Sequence, residues 1–182
     1  GLASIHPFQP FSSVQGALAL MDALTGWLKE LTGMAAVALS PAAGAHGELC
    51  GMMAIRAALD DRQDPCRTVL VPQSAHGTNP ATASLCGFRV ESIPAESSGR
   101  VSVHSARKHL GPDVAAIMIT NPNTCGLFEH DMTAIAEEVH RAGGFVYMDG
   151  ANFNALVGRV RIADLGADAM HINLHKTFSA PH

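Results

Sequence analysis

The chain has 182 residues, of which 47% are hydrophobic and 15% charged, and its formal net charge is −4. This length fits about one domain, and the composition is that of a packed core rather than a disordered segment. No basic run predicts nucleic-acid binding, and no apolar stretch approaches the roughly 20 residues of a membrane span.

The N-terminus and the cysteines indicate the compartment. The residues after Gly1 lack the basic start and long apolar segment of a secretory signal. No C-x-x-C pair occurs, so the cysteines predict free thiols of a reducing compartment. Because the chain does not begin with Met and stops soon after a functional-looking lysine, we expect it to be a fragment.

Helical and strand-like patterns alternate along the chain. Apolar residues spaced three and four apart from Val14 to Leu31 predict an amphipathic helix. A strand at 35–39 and a helix from Gly44 to about Leu59 follow. Further strands are predicted at 68–71, 89–93, 115–120, 145–148 and 169–174, with a helix at 132–141 and a short turn around 162–165. Strands that are apolar on both faces and separated by helices predict an α/β fold with three layers and a mostly parallel sheet.

Small, polar or ionisable residues follow nearly every predicted strand. These loops begin at Ser40, Ser74, Asn121, Asp149 and His175, and only the strand at 89–93 lacks one. In open parallel sheets, ligands bind at the carboxyl ends of the strands. The pattern therefore predicts an active site at that edge of the sheet.

Lys176 and Asp149 are the strongest candidates for chemistry. Lys176 follows an apolar strand, where desolvation favours the neutral amine that attacks an aldehyde. Asp149 ends another strand. A solvated surface lysine and a turn-forming Asp-Gly pair are the plain alternatives. Together, an imine-forming lysine and a carboxylate for a ring nitrogen are the two groups that a pyridoxal phosphate enzyme needs.

Two further segments are compatible with this hypothesis. His76 has an aromatic face that suits stacking on a pyridine ring, although a loop imidazole also bonds to backbone. The segment Gly44–Glu48 is either a plain helix start or a phosphate cradle of free backbone N–H groups. It matches neither a P-loop nor the dinucleotide fingerprint.

Two other kinds of site have weaker support. His171 and His175 are four apart, but on a strand this spacing does not make the two side chains converge. No carboxylate or thiol near them in the sequence completes a ligand set, so no metal is expected. Hydrolysis by a Ser-His-Asp triad lacks its Gly-x-Ser-x-Gly elbow.

Five segments closely resemble the P-protein family of the glycine cleavage system, the glycine dehydrogenases (aminomethyl-transferring), in the C-terminal half or subunit 2. They are residues 41–48, 74–81, 121–124, 149–155 and 173–178. The resemblance extends over essentially the whole chain in the same order. It implies a fold type I pyridoxal phosphate enzyme in which residues 1–182 form the large cofactor-binding domain, with the small C-terminal domain absent.

The resemblance also implies roles for single residues. Lys176 matches the lysine that bonds to pyridoxal 5'-phosphate, Asp149 matches the partner of the pyridinium nitrogen, and His76 matches the histidine stacked on the ring. The phosphate-binding turn matches Ala45 and His46.

Two more positions match residues that line the cofactor pocket in this family. They are Asn152 and His175.

The activity implied by the resemblance is decarboxylation of glycine, with transfer of the aminomethyl group to the lipoyl arm of H-protein. The implied assembly is a dimer or heterotetramer with the other P-protein subunit or half, in the cytoplasm or, in a eukaryote, the mitochondrial matrix. Another fold type I enzyme (an amino-acid decarboxylase or a lyase) and a non-catalytic subunit remain alternatives. Retention of Lys176 argues against the non-catalytic reading, and the fragment alone is expected to be inactive.

Overall fold

A computed structural model describes residues 5–6 and 8–181 of the chain. Its strands form a single parallel sheet in the spatial order β2-β1-β3-β4-β5. The strands are β1 (Thr68–Pro72), β2 (Arg89–Ile93), β3 (Val114–Thr120), β4 (Phe145–Gly150) and β5 (Ala169–Ile172). The five strands predicted from position 68 onward are confirmed, although the last ends at Ile172 instead of Leu174.

Helices connect these strands. They are α1 (Gln15–Thr32), α2 (Gly44–Asp61), α3 (Thr78–Leu85), α4 (Val103–His109), α5 (Met132–Arg141) and the single turn α6 (Leu174–Thr177). The predicted helices at α1, α2 and α5 are confirmed, as is the turn at Ile162–Leu165. The sequence did not predict α3 and α4, because helices of 8 and 7 residues are too short to show a full apolar stripe.

The core lies in two layers, one on each face of the sheet. On one face, Met52 and Ile55 of α2 pack against Met118 of β3. On the other face, Ile135 of α5 packs in the same cluster as Ile117. Successive residues of β3 thus point to opposite layers, which is why this fully buried strand is apolar throughout.

The predicted strand at Ala35–Leu39 is wrong, since the segment has no strand structure. A cavity of about 540 Å³ is lined by this segment on one side and by residues of the edge strand β5 on the other. The cavity separates the segment from the sheet. A strand needs a neighbour within hydrogen-bonding reach, and the apolar run has none here.

Helix α1 follows the predicted amphipathic pattern, yet most of its apolar side chains are exposed. Among its residues only Leu28 and Thr32 are buried, while Met21 is 48% and Trp27 59% exposed. The helix therefore packs on the described part of the chain mainly through its last turns. No helix in the described ranges, α1 included, is long and apolar enough to cross a membrane.

Gly51 of α2 provides a test of the packing between α2 and β4. A Cβ at this position would lie 2.6 Å from Cε2 of Tyr147, whose side chain is fully buried. In the complete protein, Gly51→Ala should therefore lower the free energy of unfolding by about 1–3 kcal/mol, measured by thermal or urea denaturation.

Gly26→Ala is the matched control, because a Cβ there would meet no heavy atom within 4 Å. Its better helix propensity should leave the protein equally stable or more stable by roughly 0.5–1 kcal/mol. Equal losses of stability in the two variants would contradict the packing described here.

Candidate functional site

Asp149 is the next-to-last residue of β4 and is only 2% exposed. Its Oδ1 accepts the backbone N–H of Ala151 at 2.9 Å and lies 3.3 Å from Nε2 of His171. Its Oδ2 accepts the hydroxyl of Thr120 at 3.2 Å and, with the amide nitrogen of Asn79 facing it, a further hydrogen bond at 3.2 Å. Three donors and the ring of His171 thus surround one carboxylate, which can accept about four hydrogen bonds.

His171 lies beside Asp149 on β5, in register with it. The hydroxyl of the buried Tyr147 lies 2.6 Å from Nδ1 of His171. Nε2 of His171 faces the carboxylate of Asp149, which only accepts hydrogen bonds, so the ring hydrogen of a neutral His171 is on Nε2 and Nδ1 accepts from the hydroxyl of Tyr147. Burial raises the pKa of Tyr147 well above its ordinary value, so the hydroxyl keeps the proton that this hydrogen bond needs.

Burial is also the main cause that lowers the pKa of His171. The negative charges of Asp149 and Glu48 act in the opposite direction, and burial outweighs them. His171 is therefore a neutral imidazole held in one tautomer by a partner on each ring nitrogen.

A second carboxylate, Glu48 of α2, is buried close to the first, with 2% exposure. Its Oε2 accepts the hydroxyl of Thr78 at 3.1 Å and the amide of Asn79 at 3.0 Å. Its Oε1 has no hydrogen-bond partner among the described residues. The amide of Asn79 therefore bridges Glu48 and Asp149.

Glu48, Asp149 and His171 together are the one candidate metal site among the described residues, with ligand atoms within 4.8 Å of one another. The expectation that no ligand set forms around His171 considered only residues near it in the sequence, and the fold brings two carboxylates to it from distant positions. A neutral His171 nevertheless directs an N–H, and not a lone pair, toward the carboxylate of Asp149, which only accepts. The geometry favours a hydrogen-bonded network over metal ligation.

His76 lies in the loop between β1 and α3 and is exposed. Its Nδ1 is 2.8 Å from the hydroxyl oxygen of Thr78 and 3.2 Å from the backbone nitrogen of the same residue. Because Thr78 also bonds to Glu48, His76 is connected to the buried network that contains Asp149.

The N-terminus of α2 lies against the junction of β5 and α6. A Cβ on Gly44 would lie 2.1 Å from Nδ2 of Asn173, so only glycine permits this approach. Ala45 and His46 are exposed in the first turn of α2. The first backbone N–H groups of a helix have no partner within the helix, so this terminus suits an anion.

Lys176 is exposed in α6, directly after that junction. Its positive charge contributes to lowering the pKa of His171, which places the two side chains within electrostatic reach. His175 precedes it and is half-buried. Asn152 donates from Nδ2 to the carbonyl of Pro122 at 3.0 Å, and so joins the loops after β3 and β4.

The structure thus connects His76 and Asp149 through hydrogen bonds and places Lys176 and the α2 N-terminus beside the same strand ends. The sequence did not single out the connecting residues. Three of the connecting residues nevertheless lie inside segments that the sequence analysis had selected. They are Glu48, Thr78 and Asn79. No signal pointed to Tyr147, which reads as an ordinary buried strand residue.

The cavity of about 540 Å³ lies beside this network and not on it. It is lined by β5, by residues 34–44 and by parts of α1 and α2. Its lining includes His171 and His175 but neither Asp149 nor Lys176.

Residues 46–182 match the model of the aminotransferase class-V family. Over its full length the chain is 63% identical to a probable glycine dehydrogenase (decarboxylating) subunit 2 from Caulobacter vibrioides, of which it covers 35%. It is 51% identical to the protein of the same name from Thermococcus onnurineus, of which it covers 36%. The chain therefore spans little more than a third of the length of these curated relatives.

Solved structures share the fold. The crystal structure of glycine decarboxylase (P-protein) of the glycine cleavage system, in inhibitor-bound form, aligns with 99% of this chain and 39% of its own, at 24% identity and a TM-score of 0.80. The structure of Oryza sativa TDC with PLP and tryptamine aligns with 72% of this chain and 33% of its own, at 18% identity and a TM-score of 0.61. The predicted fold class, a three-layer α/β fold of the fold type I pyridoxal phosphate enzymes, is confirmed.

The depressed pKa of His171 predicts a pH dependence of stability. Because its folded-state pKa lies below the ordinary value of 6.5, the unfolded chain binds more protons as the pH falls. This contribution to stability is complete above about pH 6.5 and is lost progressively below it. In the complete protein, His171→Gln should therefore show a smaller fall in melting temperature between about pH 7 and about pH 5 than the unsubstituted protein.

The exposed His104 provides the control, and His104→Gln should keep the original pH dependence. An unchanged dependence in His171→Gln would show that His171 does not titrate in this way.

Proposed function

The chain belongs to the aminotransferase class-V family, and on that premise we propose that it is the cofactor-binding large domain of a glycine dehydrogenase (decarboxylating). The small C-terminal domain of that enzyme would lie outside residues 1–182. The observation that carries the proposal is that Asp149 is buried and hydrogen-bonded. It lies at the edge of the sheet where the loops that contain His76 and Lys176 also lie. The names of the Caulobacter vibrioides and Thermococcus onnurineus relatives support the choice of activity.

The residues at this edge fit pyridoxal 5'-phosphate, which the family and the shared fold support as the cofactor. Three buried polar atoms beside the site have no partner among the described residues: Nδ2 of Asn121, Oδ1 of Asn173 and Oγ1 of Thr177. Buried polar atoms are nearly always paired, so these three favour a polar molecule at the ends of β3 and β5. The free N–H groups at the start of α2 suit its phosphate.

When bound, pyridoxal phosphate supplies an electron-accepting ring for the charge left as glycine loses CO₂. Lys176 would hold the cofactor through Nζ, the group that can condense with its aldehyde. Asp149 would hold a proton on the ring nitrogen, a role that suits a buried carboxylate whose orientation is fixed by Thr120 and Ala151. His76 would pack on the face of the ring, and the turn at Ala45 and His46 would hold the phosphate.

Two further residues are assigned to the wall of the cofactor pocket. Asn152 keeps the loops after β3 and β4 together through its bond to the carbonyl of Pro122. His175 precedes Lys176 in the turn that carries the lysine.

The complete protein, in this proposal, takes glycine and passes the aminomethyl group to the lipoyl arm of H-protein. It works with another P-protein subunit in a dimer or heterotetramer, and the name "subunit 2" of the relatives supports such a partner. Met21 and Trp27 of α1 are exposed apolar side chains, and contact with another part of the protein or with the partner subunit would bury them. The cysteines, free in the structure, suit a reducing compartment such as the cytoplasm or the mitochondrial matrix.

Reductive trapping tests the assignment of Lys176. The complete protein is incubated with pyridoxal phosphate, reduced with borohydride and digested, and the added mass is located. We expect a single modification at Lys176, with the exposed Lys29 and Lys108 unmodified as internal controls. Equal labelling of all three lysines would contradict the proposed site.

Replacement of Asp149 tests the role of the ring nitrogen. In the complete enzyme with its partner and H-protein, Asp149→Ala should lower kcat for glycine decarboxylation by on the order of 100-fold or more, because no anion then faces the ring nitrogen. Cofactor affinity should fall far less, since the other contacts remain. The exposed Asp60 provides a control, Asp60→Ala. Small and equal effects on rate and affinity would reject this role for Asp149.

A further inference from the structure

Glu48 has no part in the roles assigned above, yet its position is unusual for a carboxylate. It lies on the same buried stripe of α2 as Met52, Ile55 and Leu59, and it is 2% exposed. None of the ion pairs among the described residues includes it. Burial of a carboxylate without a cation is costly, and an apolar side chain would fill this stripe at lower cost.

The first contact of Glu48 leads to His76. Thr78 has one hydroxyl proton, which it donates to Oε2 of Glu48 at 3.1 Å. The same hydroxyl oxygen lies 2.8 Å from Nδ1 of His76, and Nδ1 also accepts the backbone N–H of Thr78 at 3.2 Å. The ring of His76 is therefore held along the edge that carries Nδ1.

The second contact leads to Asp149. Asn79 is fully buried, and its amide group has two hydrogens. One is donated to Oε2 of Glu48 at 3.0 Å and the other to Oδ2 of Asp149 at 3.2 Å. Rotation of this amide would turn its oxygen toward two carboxylate oxygens, so Glu48 and Asp149 together fix the orientation of the amide.

We propose that Glu48 is a positioning residue that sets the orientation of His76 through Thr78 and the orientation of Asp149 through Asn79. The inference rests on the proposed function, because His76 and Asp149 are the residues assigned there to the ring face and the ring nitrogen. Glu48 itself touches neither cofactor nor substrate in this arrangement. A single buried carboxylate would thus position both the residue at the ring face, His76, and the residue at the ring nitrogen, Asp149.

The first experiment uses the complete protein without cofactor. Diethyl pyrocarbonate modifies the unprotonated nitrogen of exposed imidazoles, and the exposed His76 and His104 are followed in the same digest. Thr78 covers Nδ1 of His76 with its hydroxyl and its backbone N–H. Thr78→Val removes the hydroxyl contact that holds the ring and should speed modification of His76 by roughly two- to fivefold relative to His104. Thr78→Ser should restore the rate.

Glu48→Met should speed modification of His76 as Thr78→Val does, because the hydroxyl of Thr78 loses the acceptor that orients it. Glu48→Gln retains an acceptor oxygen of the same reach and should give an intermediate rate. If Glu48→Met does not fold, the comparison of Thr78→Val with Thr78→Ser still decides whether His76 is set through Thr78.

The second experiment uses the enzyme loaded with cofactor. Glu48→Met should shift the visible absorption of the bound cofactor, because it disturbs Asp149, whereas Thr78→Val should leave that spectrum unchanged. Thr78→Val should lower kcat by about tenfold with little change in KM, and it should have no further effect when His76 is already replaced by Ala. A purely structural role of Thr78 would lower activity equally in both backgrounds.

The outcomes separate this inference from the proposed function. Unchanged modification rates and an unchanged spectrum in the Glu48 and Thr78 variants, in a protein that labels at Lys176 and decarboxylates glycine, would overturn the inference alone. A protein that neither labels at Lys176 nor decarboxylates glycine would overturn the proposed function. The rate of modification of His76, measured without cofactor, would even then report whether the chain of contacts from Glu48 exists.

Discussion

Asp149 is a buried carboxylate at the end of a parallel sheet whose interior is otherwise apolar. The structure around it must therefore supply hydrogen-bond donors to its two oxygens. Each neighbouring element contributes one: Thr120 from β3, Ala151 from the following loop, His171 from β5 and Asn79 from α3. Loss of any of these donors would leave charge or polarity without a partner in the core. The requirement fixes the register of β3 and β5 against β4 as firmly as apolar packing does.

A second consequence concerns the proton positions of the two histidines in the network. Nε2 of His171 faces the carboxylate of Asp149, which only accepts hydrogen bonds, while its Nδ1 lies 2.6 Å from the hydroxyl of Tyr147. Nδ1 of His76 accepts the backbone N–H of Thr78 and lies 2.8 Å from the hydroxyl of the same residue. In both rings a hydroxyl group of the protein therefore meets Nδ1. The contacts that the fold supplies thus constrain which ring nitrogen carries the hydrogen.

The sequence predicted the elements that have a long and regular pattern, and it predicted the edge of the sheet at which polar residues collect. It missed α3, which is short and contains Pro80 in its first turn, where the missing N–H costs nothing. It predicted a strand at 35–39, because an apolar run does not reveal whether a neighbouring strand is within reach. The network around Asp149 escaped prediction for a related reason: Glu48 and His171 are 123 residues apart (171 − 48), and only the packing of α2 on β5 brings them together.

The two outer strands of the sheet differ in a way that matters for the behaviour of this chain by itself. On β2, the exposed Arg89 and Glu91 put charge along the edge, and charged edges resist pairing with a foreign strand. On β5, the four residues from Ala169 to Ile172 include no Lys, Arg, Asp or Glu, and an apolar groove runs beside the strand. An edge without charges lacks this protection. Between the two outer strands, β5 is therefore the one less protected against pairing with a foreign strand.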